Sequence, residues 1–171
     1  MNIFKKIFGG NKAIDNPIQE RTLHTIQVGD IVTYDLVDYQ VVGVMTYRQN
    51  RYEWKAYQLE NVSGTKWLSV EQDDELEVGI YEKIKLRLTE PLPEEITHSR
   101  RTYYFDERGV ARVTGQGRSQ AVTGQECRYA GYTDEEEENY LSVEIWGSEI
   151  EVSAGYGIEP YEIKILAGTA N

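Results

Sequence analysis

Two tetrapeptides carry the residue types in this chain that could do chemistry as a pair. Leu68-Ser69-Val70-Glu71 returns as Leu141-Ser142-Val143-Glu144, at an offset of 73 residues (141 − 68). In an extended strand, alternate side chains share a face, so each copy sets Leu and Val on one face and Ser and Glu on the other. Trp67 and Tyr140 join the Ser/Glu face. If the two copies meet across a pseudo-two-fold seam, Glu71 and Glu144 become equivalent carboxylates. Such a pair can act as acid and base, or share a cation. The plainer reading is that alternation of this kind is what any half-buried strand shows.

Other chemistries have less to work with. The single cysteine, Cys127, allows no intramolecular disulfide and no paired-cysteine metal site. It lies in a strand-like stretch and reads as a small buried hydrophobe. The two histidines, His24 and His98, fall in connecting segments, which leaves no evident zinc site or Cys/His pair. Gly115 and Gly117 precede no helix, so they do not form a phosphate cradle. The acid runs Glu71–Glu77 and Thr133–Asn139 lack the ligand order of a calcium loop and read as solvated turns. No cofactor is implied, and no catalytic motif is found. The net charge of −11 argues against a nucleic-acid partner, which would need a basic stripe. One cysteine and no staples suit a reducing, cytoplasmic setting.

The elements that must position these residues are strands. From Val28 the apolar period is two, and Gly, Asn and Asp clusters break the chain into short segments. The expected fold is all-β, with antiparallel strands in two related halves forming an internally duplicated barrel or sandwich. The halves are expected at residues 28–88 and 101–168, joined by a proline-bearing linker at 89–100. A second set of matches supports the repeat: Leu76-Glu77-Val78 with Ile150-Glu151-Val152, and "YEKIKL" from Tyr81 with "YEIKIL" from Tyr161. Tyr34-Asp35 is aligned with Phe105-Asp106. Ahead of the halves, a linker at 11–27 follows a short segment, 1–10. There Ile3, Phe4, Ile7 and Phe8 share one face of a helix flanked by Lys5 and Lys6. A helix this short needs a surface to lie on, whether a membrane, a partner or its own β domain.

One stretch has a recognisable pattern. Gly29, Asp30 and Ile31 are followed by Tyr39, Val41 and Gly43, then by Trp54, Tyr57 and Leu59, then by Trp67, Leu68 and Glu71. This resembles the bacterial domain-of-unknown-function family 4178, well over residues 28–86 and less well beyond. The second copy departs from it, with Tyr140 in the place of Trp67 and no tryptophan in its long hairpin. The resemblance implies an all-β cytoplasmic accessory protein and supplies no catalytic residue. Members are encoded near membrane-stress proteins and polyamine-synthesis enzymes, which implies a membrane-associated protein partner at the inner face of the membrane.

Two functional expectations follow. The first is a non-enzymatic interaction module linked to membrane or envelope stress, with residues 3–8 as the peripheral contact. The second is a small-ligand or cation binder, for example of a polyamine, with a site between the halves at Trp54, Tyr57, Trp67, Glu71, Tyr140 and Glu144.

Overall fold

The computed structural model describes residues 20–169. The segment 1–10 and its expected helix lie outside those residues. Eleven strands follow in order: β1 (Ile31–Tyr34), β2 (Val37–Gln49), β3 (Tyr52–Asn61), β4 (Gly64–Gln72), β5 (Leu76–Ile84), β6 (Glu95–His98), β7 (Arg101–Gly117), β8 (Glu126–Thr133), β9 (Asn139–Trp146), β10 (Glu149–Ile158) and β11 (Lys164–Leu166). The helical content of the described residues is two single 3₁₀ turns, Gln120–Val122 and Pro160–Glu162. The stretch 89–100 carries β6, so it is part of the sheet and not only a connection.

Tight turns dictate the antiparallel order. Asp35 and Leu36 both take positive φ (49° and 61°), as do Ser99 and Arg100 (49° and 64°). These are two-residue hairpin turns whose twist matches the flanking strands. The side chain of Asn61 accepts from the Ser63 N–H (2.8 Å) and closes the β3–β4 turn.

Eight of the strands close into a barrel, in the order β2-β3-β4-β5-β10-β9-β8-β7 and back to β2. Two seams bring distant parts of the chain together. β5 pairs with β10, with Tyr81 opposite Gly155, and β2 pairs with β7, with Thr46 opposite Thr114. A single barrel therefore draws four strands from each side of residue 90. β2 spends its first residues on β1 and its later ones on β7, changing partner past a register shift between Val41 and Gly43. β7 does likewise, pairing first with β6 and last with β2, with its own shift between Phe105 and Glu107. The register also corrects one alignment made from sequence. Tyr34-Asp35 sits at the β1–β2 hairpin, whereas Phe105-Asp106 sits inside β7 at the shift.

The Leu/Val faces do not fill the lumen. Leu68 and Val70 pack on the outer side with Val41, Tyr57 and Leu59, under Ile26, Val32, Tyr34 and Ile163. Leu141 and Val143 pack on the outer side with Tyr132 and Val152, under Ile96 and Tyr103. Covering segments thus bury the outside of the barrel, and each is tied down by a tyrosine. Tyr57 donates to the Leu23 carbonyl (2.8 Å) and Tyr132 to the Pro93 carbonyl (2.8 Å).

Candidate functional site

The remaining face is the lumen, because its side chains meet between strands that are not neighbours. The Tyr47 hydroxyl on β2 donates to Glu144 on β9 (2.8 Å), and the Tyr129 hydroxyl on β8 donates to Gln49 on β2 (2.5 Å). Trp54 on β3 meets Tyr129 edge-on, with ring centroids 5.3 Å apart, and stacks on Tyr47 at 5.2 Å. Met45, Ala111, Val113 and Cys127 form the buried apolar part of this lumen, with Trp67 and Trp146 against it. Cys127 is fully buried, and burial pushes its thiol up to about 12, which removes it as a nucleophile near neutrality.

Small residues lie beneath the large rings of the lumen face. Tyr81 lies across Gly79 and Gly155, and Tyr129 across Gly109. Glycine in a strand interior marks such close approaches.

Five of the six residues expected at a ligand site fall on the lumen face. Glu71 is the register partner of Trp54, and Glu144 that of Tyr129. Trp67 lies opposite Tyr81 and carries the Lys83 ammonium 6.0 Å from its ring centroid. Tyr140 lies opposite Gly155 and donates to the Glu137 carbonyl (2.6 Å). Tyr57 is the exception. It is fully buried on the outer face, where its hydroxyl is already used. Its odd position on β3, against even-numbered Trp54, puts it there.

The two glutamates are in different states. Glu144 is buried and accepts from the Tyr47 hydroxyl (2.8 Å) and the Trp146 indole N–H (3.1 Å). Burial pushes its carboxyl above the usual range against the pull of those two bonds. Glu71 has no hydrogen bond or ion pair among the described residues. Burial first, then Glu107, Glu77 and Asp73, push it up to about 6. Its closest electrostatic company is therefore Glu107 and not Glu144. Glu107 lies over Gly131 on the lumen face and is itself raised, by burial and then by Asp106 and Glu77. Glu107 gave no signal in the sequence, because the shift at Phe105/Glu107 breaks the strand parity that would have pointed to it.

A carboxyl that binds its proton more tightly when folded favours the folded state at low pH. The contribution from Glu71 is largest below the unfolded value near 4.5 and fades as pH rises toward 6. Allowing for its partial exposure, the difference is about 1 kcal/mol. Glu71→Gln is therefore expected to be more stable than the parent at pH 7 by about that amount, with the gap closing at pH 4. Urea unfolding at pH 4, 5.5 and 7 measures this, and a variant less stable than the parent at pH 7 contradicts it.

A family model described as a domain of unknown function (DUF4178) matches residues 27–160. The chain belongs to this family. Uncharacterised proteins of Mycobacterium bovis and Mycobacterium tuberculosis are each 28% identical to this DUF4178 chain over 144 residues, covering 80% of it and 69% of their own length. No solved structure matches it. The residues that carry the DUF4178 pattern fall into three structural roles. Gly29 (φ 95°) and buried Asp30 make a turn, Tyr39, Val41, Tyr57, Leu59 and Leu68 fill an outer core, and Trp54, Trp67 and Glu71 face the lumen. No helix among the described residues is long and apolar enough to cross a membrane.

Proposed function

We propose that this DUF4178 barrel is a binding module, not an enzyme, and that its lumen takes a small organic cation. The observation that carries this reading is Glu71: a half-buried carboxyl in the lumen, walled by Trp54 and Tyr129, with no partner among the described residues and pushed up to about 6. A cation seated there offsets the burial and the repulsion from Glu107, and aromatic faces add to its attraction. Among the described residues, no three His, Cys, Asp or Glu side chains converge as metal ligands do. Carboxyls spread along a lumen suit the separated charges of a polyamine better than one compact ion. Calorimetric titration of the intact chain with spermidine is expected to give saturable heat at millimolar ligand or below. Glu71→Gln is expected to weaken it at least tenfold, and magnesium to give no comparable isotherm. Absence of saturable heat, or an unchanged affinity in Glu71→Gln, overturns the reading.

We further infer that the barrel consists of two copies of one five-stranded meander. The support is in the backbone. The positive-φ hairpins at Asp35 and Ser99 are offset by 64 residues (99 − 35), and so are the register shifts after Val41 and Phe105 (105 − 41). Tyr57 and Tyr132, each opposite the repeated leucine, do the same job. On this reading Glu71 and Glu144 descend from one position. The second is capped by Tyr47 and Trp146, which leaves Glu71 as the uncapped member of the pair. Superposing β2–β5 on β7–β10 with Leu68 on Leu141 tests it, and a rotation far from 180° ends it.

A further inference from the structure

The β5–β10 seam opens at one end. Its ladder stops at Ile84 opposite Val152. β10 stays on β9 as far as Glu149 opposite Trp146, while the chain after Ile84 leaves the sheet. Between the parted strands runs a groove of about 580 Å³, lined by residues 83–87 and 150–152. That volume is typical of a small-ligand cleft. Ile84, Leu86 and Ile150 are only partly buried there, at the fringe of the second outer core. Three cations, Lys83, Lys85 and Arg87, rim the groove against one acid, Glu151, which Lys83 already holds at 2.9 Å. Lys85 and Arg87 are exposed and have no carboxylate partner among the described residues, in a chain of net charge −11. A concave aliphatic floor beside two unengaged cations is complementary to an anion with an apolar tail.

We propose that this groove binds a free medium-chain fatty carboxylate, with the alkyl chain along Ile84, Leu86 and Ile150 and the head group on Lys85 and Arg87. Lys83 and Glu151 also reach the lumen face, over Trp67 and opposite Glu144, but Glu71, Trp54 and Tyr129 do not line the groove, so the two readings are tested by different variants. The test titrates the intact chain with monomeric octanoate and decanoate, with decyltrimethylammonium as the cationic control and phosphatidylglycerol vesicles as the bilayer arm. Saturable decanoate binding is expected, roughly fifteenfold tighter than octanoate, because each of the two added methylenes is worth about fourfold. The double variant Lys85→Gln/Arg87→Gln, with an unfolding midpoint matching the parent, is expected to lose at least tenfold. Ile150→Glu, which blocks the floor and leaves both cations, is expected to lose as much. The proposal is overturned by no saturable decanoate binding, by equal binding of the cationic control, by vesicle binding without monomer binding, or by unchanged affinity in both variants.

Discussion

Asp30→Ala is expected to cost about 3–5 kcal/mol of folding stability, the range for removing one partner of a buried ion pair. The side chain of Asp30 is 2% exposed and that of its partner Arg21 is 14% exposed, with Arg21 Nε 3.0 Å from Oδ2. The same carboxylate accepts the Gln27 N–H (2.8 Å) on Oδ2 and the Gly168 N–H (2.8 Å) on Oδ1. It therefore fastens three stretches of chain: the segment covering the first outer core, the start of β1, and the end that follows β11. Alanine leaves the Arg21 charge with a single partner, Gln27, and strands two backbone donors. Asp30→Asn keeps the shape and one acceptor oxygen, but sets an amide donor against other donors, so an intermediate loss is expected. Urea midpoints at unchanged slope give the comparison. A loss under 1 kcal/mol for the alanine variant would show that these segments hold without the hub.

Period-two alternation, turn residues and the repeated strands made an antiparallel barrel or sandwich legible before any coordinates. The split of faces within a strand was legible too, Trp67 with Glu71 on β4 and Tyr140 with Glu144 on β9. Parity does not say which face is the lumen, and the expected site also held Tyr57, which lies on the face of β3 opposite Trp54. Parity fails where a strand shifts register, which is why Glu107 was missed. It also carries no information about which rings cross the barrel, so Tyr47 and Tyr129 read only as strand formers. Asp134 was hidden for another reason. It begins a run of acids that looks uniformly solvated, yet it is 3% exposed. It accepts from the backbone of Glu138 and Asn139, from the Asn139 side chain and from Arg101. Burial pushes that carboxyl up, and those hydrogen bonds outweigh it and hold it below the usual carboxylate range. One residue of such a run caps the β8–β9 turn, and composition cannot say which.

Gly155→Ala is the second large expected effect, a loss of about 2–3 kcal/mol from overpacking. Gly155 lies where the two halves of the chain meet, opposite Tyr81 on β5 and Tyr140 on β9. A methyl there would overlap the Tyr81 ring and come within 2.5 Å of the Ile80 carbonyl oxygen. The ring can swing, but the carbonyl is backbone and yields only if β5 and β10 part. Two residues further along, on the same face, a methyl at Gly157 would meet nothing closer than 4.0 Å. Gly157→Ala is thus the control, expected to be neutral or slightly stabilising through the unfolded chain. Combining Gly155→Ala with Tyr81→Leu separates the two collisions. If the ring dominates, the double variant regains most of the loss relative to Tyr81→Leu alone; if the backbone dominates, it regains little. In the first case, the single variant also drives Tyr81 into the lumen and should weaken spermidine without any change at Glu71. Equal stabilities for Gly155→Ala and Gly157→Ala would show that the seam is looser than its register implies, and that the lumen is not walled by Tyr81 at all.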